Sequence, residues 1–185
     1  MTRTTLSTAD LRRPVVAAAA VQEFARGGYH GTTIADVARA AAISPAYVVK
    51  LFPTKERLFV TALEACFDRV VEAIAAGADR AEDTSPDGIL SAMGEAYAHL
   101  IADRTLLMLQ VHAQSVADLP EIGEALRAGL REVVDFAKDR SRGSGEAVQR
   151  FIAYGQLCHL IVTAQVDQVP EAWARLLVEG IRHPG

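Results

Sequence analysis

Apolar residues recur along the chain at intervals of three and four, and no stretch alternates with a period of two over β-branched residues. The pattern therefore predicts an all-α protein. A first helix is expected from Thr8 or Asp10 to Arg26, with Val16, Ala20 and Phe24 on one stripe and Gly27-Gly28 as its stop. A second covers Ile34 to Ala41, burying Ile34, Val37, Ala38 and Ala41, with Thr32-Thr33 ahead of it as cap candidates and Asp36 in its first turn. A third, very short, follows Ser44 and closes at Phe52-Pro53, and a fourth runs from Thr54 through Leu58, Ala62, Ala65 and Val70 to about Arg80. After the polar run AEDTSPD, five further helices are expected over 88–102, 105–117, 122–140, 146–166 and 171–181, separated by short polar breaks such as connect packed antiparallel helices. The result is nine helices, three in a small N-terminal head (residues 1–54) and six in a larger body (residues 55–185).

Composition adds an asymmetry to this layout. Half of the 185 residues are apolar, enough for a sizeable core, and the net charge is -4. Residues 1–60 nevertheless carry eight Lys/Arg against four Asp/Glu, while the rest of the chain carries eleven against nineteen. Only the N-terminal end is suited to approach a polyanion. No apolar run reaches the roughly 18 to 20 residues of a membrane span. Arg12 and Arg13 lead into a helix-like segment rather than a cleavage pattern, so a cytoplasmic protein without a membrane partner is expected. Cys66 and Cys158 lack metal-ligand spacing and read as reduced thiols. The five histidines form no ligand pair, and neither a phosphate loop nor a nucleophile elbow occurs, which argues against an enzyme, a metal site or a cofactor.

The candidate chemistry concentrates in ISPAYVVKLFPTKE, Ile43 to Glu56. Ser44 is placed to cap the third helix and Pro45 to begin it, where the missing N–H of proline costs nothing. Val48, Leu51 and Phe52 share one face and would pack on the first two helices. Pro45, Ala46, Tyr47 and Lys50 would face outward. Two short helices joined by a tight turn, after a longer first helix, have the dimensions of a helix-turn-helix. A helix entering the major groove needs small residues at its leading end, and a donor or aromatic further along to meet base edges or phosphates.

The run FARGGYHGTTIADVARAAAISPAYVVKLFPTKERLF, Phe24 to Phe59, resembles the N-terminal DNA-binding domain of TetR-family transcriptional regulators. It shares with them the Gly-rich break, Thr-Thr, an Ile-Ala pair, the turn into an aromatic-containing recognition helix, and Phe-x-x-Lys-Glu-x-Leu. The resemblance implies that Thr32 or Thr33 caps the second helix and touches a phosphate, and that Ser44 caps the recognition helix. It further implies that Pro45, Ala46, Tyr47 and Lys50 face the groove, and that Lys55 meets the DNA backbone. Two positions depart from the family pattern. Ala42 stands where a turn glycine is usual, at a cost of about 1 kcal/mol if the backbone there is left-handed. Val49 replaces a tyrosine that commonly contacts a phosphate and cannot hydrogen bond, although it could meet a thymine methyl; Tyr47 is the substitute.

In the body, the last two helices carry more apolar surface than one seam needs: Phe151, Tyr154, Cys158, Ile161, Val162 and Gln165 on one, Trp173, Leu176, Leu177 and Ile181 on the other. The family usually forms two-fold dimers through these helices, and large apolar anchors suit an isologous interface. Met93, Tyr97, Leu107, Met108, Val111, His112, Ser115 and Phe136 are candidates to line an apolar cavity with a few orienting polar groups. The expected function is a dimeric, ligand-responsive regulator that binds a palindromic site on double-stranded DNA, most often a repressor released by a small, largely apolar effector. The alternative is a helical dimeric ligand-binding or protein-interaction module without specific DNA binding.

Overall fold

The computed structural model describes residues 8–180, with the side chains of Thr8 and Asp10 set aside. Among these residues there are nine α-helices and no strand, as the periodicity predicts. They are α1 (Thr8–Gly31), α2 (Ile34–Ala40), α3 (Pro45–Leu51), α4 (Lys55–Asp79), α5 (Pro86–Leu100), α6 (Arg104–Ser115), α7 (Pro120–Ser141), α8 (Gly145–Ala164) and α9 (Ala172–Val178). A 3-10 turn, Val166–Gln168, joins the last two. Ile181, expected in the ninth helix, lies outside the described residues.

Local signals explain most of the boundaries. Thr33 caps α2, with Asp36 closing a capping box. Ser44 caps α3 and Pro45 opens it. Ser85 caps α5 and Ser144 caps α8, each accepting the N–H three residues on. The Gly27-Gly28 pair breaks α1 where a stop was expected: Gly28 sits at φ 66, ψ −179, outside helical geometry, and a short helical stretch follows to Gly31.

By packing, the chain divides into two compact units. One takes in the residues up to Cys66 together with Leu109–Leu126, and the other Phe67–Met108 together with the residues from Arg127 onward. The helices α4, α6 and α7 contribute a segment to each.

In the first unit α1, α2 and α3 pack on one another. Phe24 and Phe59 lie at its centre, fully enclosed, with ring centroids 4.8 Å apart in edge-to-face contact, and Tyr29 meets Phe59 the same way at 5.5 Å. Val37, Val48 and Leu51 complete the buried face of the helix-turn-helix, leaving the opposite face of α3 outward. The turn between α2 and α3 places Ala42 at φ 54. Its methyl group there costs what a glycine would not. Ala42→Gly should therefore stabilise the protein by about 1 kcal/mol, read as a melting temperature raised by roughly 2–4 °C.

In the second unit α5 packs along α8, and α8, the 3-10 turn and α9 close on one another around Ile161, Val166 and Ala174. Gly129 of α7 admits the Phe67 ring so closely that a Cβ added there would lie 2.1 Å from Phe67 Cδ2.

Candidate nucleic-acid interface

The outward face of α3 begins at its cap. Ser44 Oγ accepts the Tyr47 N–H at 3.2 Å, holding the first turn of α3 in register. Pro45 and Ala46 are exposed and small, Tyr47 is half-buried, and Val49 and Lys50 are exposed. All four outward positions expected of a reading helix thus share one side of a seven-residue helix whose other side is enclosed.

Lys55 opens α4 beside this helix. Its ammonium lies 4.5 Å from the centroid of the Tyr29 ring, a cation–π contact that holds the long side chain over the head. The Tyr29 hydroxyl in turn donates to Glu56 Oε1 at 2.5 Å. Desolvation first, and the Glu56 carboxylate second, push the Tyr29 phenol up to about 12, while that same hydrogen bond holds the Glu56 carboxyl below the usual carboxylate range. A tyrosine after the glycine pair is visible in GGYH, but only the kink at Gly28 brings it under Lys55.

The two threonines before α2 divide their roles. Thr33 is the cap, and its backbone N–H and hydroxyl both donate to Asp36 Oδ2, at 2.9 and 2.6 Å. These bonds, with Arg39 beyond them, bring the Asp36 carboxyl down to about 2. Thr32 is enclosed, 2 % exposed, and its hydroxyl donates to the Glu23 carbonyl at 3.0 Å. Its side chain ties α1 to the turn and presents nothing to a phosphate.

The body candidates are less uniform. In the second unit Met93 and Tyr97 are buried, Met108 and Phe136 half-buried, and the Tyr97 hydroxyl lies 2.5 Å from His159 Nε2. In the first unit Val111 and His112 are half-buried, and the His112 ring lies against Gly28. Ser115 is exposed and donates to the His112 carbonyl of its own helix. On α8 and α9, Tyr154, Trp173 and Leu176 are half or more exposed, Phe151 and Leu177 partly so, and Gln165 is the exposed left-handed cap of α8. Cys158 and Ile161, expected at a dimer interface, face the interior of their own chain, 5 % and 0 % exposed. Leu160, absent from the expected stripe, is 52 % exposed.

Residues 16–62, from the middle of α1 into α4, match the profile of the bacterial regulatory proteins of the tetR family. Over these residues, about a quarter of its length, the chain is similar to the DNA-binding domain of that family. The matched segment contains the helix-turn-helix formed by α2 and α3. No curated protein matches it. Solved structures share its fold over nearly their whole length. A TetR-family regulator from Agrobacterium tumefaciens is 19% identical with a TM-score of 0.71, covering 95% of this chain and 96% of that one. The regulator FadR from Bacillus subtilis, in complex with stearoyl-CoA, is 16% identical with a TM-score of 0.69, covering 91% and 99%. A TetR-like regulator from Rhodococcus sp. RHA1 is 21% identical with a TM-score of 0.65, covering 94% of each chain. Among the described residues no helix is long and apolar enough to cross a membrane, and no cluster of three metal-ligating side chains occurs.

Proposed function

We propose that this protein is a TetR-family transcriptional regulator that binds a palindromic DNA site as a homodimer and is released from it by a small, largely apolar effector held in the body, so that it acts as a repressor in the cytoplasm. Residues 1–54 read DNA in this account, and residues 55–185 bind the effector and the partner subunit. One observation carries it: a Ser44-capped, Pro45-led α3 with Ala46, Tyr47 and Lys50 outward, inside the segment that matches the family. Two such helices set about 34–36 Å apart enter successive major grooves. Lys55, steadied over Tyr29, supplies a phosphate contact, and Thr33 supplies another by turning its hydroxyl proton from Asp36 to the DNA. The partner subunit covers Tyr154, Leu160, Trp173 and Leu176, apolar surface of the kind isologous interfaces bury. An apolar effector is supported by the buried α5–α8 packing around Met93 and Tyr97, and a stearoyl-CoA complex of a FadR with the same fold is consistent with it.

Selection of bound sequences from a random DNA pool tests the proposal, and a palindrome is the expected result. Lys55→Ala should weaken binding to all sequences alike and lower the salt slope by about one per protomer, whereas Tyr47→Ala or Lys50→Ala should change the preferred sequence. Failure to bind any palindrome at low salt would sink the regulator reading. It would favour a ligand-binding or interaction module instead, the reading that an exposed Val49 in place of a phosphate-binding tyrosine supports.

A further inference from the structure

The buried residues of α5 are Leu90, Met93, Tyr97 and Ala98, and those of α8 are Ala147, Val148, Cys158, His159 and Ile161. Tyr97 and His159 are the polar pair in this set, and they face each other: the phenol oxygen lies 2.5 Å from Nε2. The other ring nitrogen of His159, Nδ1, is buried and has no hydrogen-bond partner among the described residues, although the residue is only 4 % exposed. A buried donor or acceptor left without a partner is costly and rare in folded proteins, so it calls for a reason.

Acid–base strength settles which group donates between the two rings. A phenol is a stronger acid than a neutral imidazole N–H, and an imidazole nitrogen a better acceptor than a phenol oxygen. Tyr97 therefore donates to Nε2, and the imidazole proton sits on Nδ1. The orphaned atom is a donor, locked in its tautomer from the far side of the ring. Side chains on a helix lie over the turn N-terminal to their own Cα, and both rings have glycine there: Gly94 three residues before Tyr97, and Gly155 four before His159. A Cβ added at Gly94 would meet nothing within 4 Å, and one at Gly155 only Tyr97 Cε1 at 3.7 Å. The α5 helix has left open space at Gly94, and the Tyr97 ring packs against Gly155 of α8.

We infer that His159 Nδ1 is the polar anchor of the effector site, and that the effector is a neutral, apolar-bodied molecule whose polar function is a hydrogen-bond acceptor such as a ketone, ester, lactone or amide carbonyl. This rests on the ligand-responsive reading above and sharpens it. An ammonium ligand offers only donors to a donor. A carboxylate would bring an uncompensated charge into an apolar site, because burial holds the His159 imidazole down at about 4 and so neutral at physiological pH.

The test uses the full-length protein without DNA and compares 2-undecanone with undecanoate and undecylamine by calorimetric titration. The ketone should bind at least about tenfold more tightly than either charged analogue, and His159→Gln, which still accepts from Tyr97 but has no Nδ1, should lose about tenfold for the ketone. Long-range nitrogen–proton NMR of the wild-type protein should show Nδ1 of His159 protonated and its resonance moving as ketone is added, a readout that needs no variant. Absence of ketone binding, tighter binding of the amine or the carboxylate, wild-type ketone affinity in His159→Gln, or a His159 protonated at Nε2 would each overturn the inference. A protein that binds the ketone through His159 yet no palindrome keeps this site and sinks the regulator reading. The reverse result sinks this site alone.

Discussion

Gly28→Ala should destabilise the protein by about 2–3 kcal/mol, lowering its melting temperature by roughly 4–10 °C. The backbone at Gly28 has φ 66 and ψ −179, a region that side chains essentially exclude. The added methyl group would also lie 3.1 Å from His112 Nδ1 and 3.3 Å from Cε1, so the imidazole must give way. The smaller entropy of an alanine in the unfolded chain offsets only about 0.4–1 kcal/mol of this. Gly31→Ala is the control, three residues on in the same helix, because a Cβ there meets nothing within 4 Å. It should change stability by less than about 1 kcal/mol, and in the stabilising direction. Equal effects from the two substitutions in thermal unfolding would show that the kink at Gly28 is dispensable. The kink also places Tyr29 under Lys55, so Gly28→Ala should weaken DNA binding more than its loss of stability alone explains.

Acidification from about pH 7 to pH 4 should cost the protein on the order of 3 kcal/mol through His159. Burial lowers this imidazole from 6.5 in the unfolded chain to about 4 in the folded protein. Above about pH 6.5 neither state is protonated and the full stability is present; below it the unfolded chain binds a proton that the folded protein refuses, and stability falls until about pH 4. His159→Gln removes the titrating group, so its urea midpoint should stay flat across this window while that of the wild type declines. Identical profiles would mean that the imidazole titrates as it does in water. The Asp36 carboxyl acts at lower pH, since its folded value of about 2 lies under an ordinary 3.8; its contribution is lost only as pH falls through that interval. The two windows do not overlap and can be separated in one titration.

Much of the head was legible along the chain because its signals are local. Ser44 before Pro45, Thr33 before Asp36, and Val48, Leu51 and Phe52 at helical spacing need no distant partner to declare a cap or a buried face. The break at Gly27-Gly28 was legible for the same reason, and only the helical stretch beyond it, to Gly31, was not. Thr32 and Thr33 are equivalent as letters, and only the Glu23 carbonyl, nine residues away, assigns Thr32 to the interior.

In the body the division runs the other way. A stripe of apolar residues on α8 says that a face is buried, but a helix apolar on most sides does not say against what. Cys158 and Ile161 turn inward while Tyr154 and Leu160 remain exposed. His159, one of five histidines without a motif, became a candidate anchor only when α5 and α8 set it against Tyr97, 62 residues away in sequence. The amino-acid sequence by itself determined the helices and the outward face of α3, since hydrogen bonding and periodicity within a few residues settle these. Only the tertiary structure decided which polar groups pair across helices and which stay unpaired, because burial, tautomer and approach distance depend on residues that the chain brings together from afar.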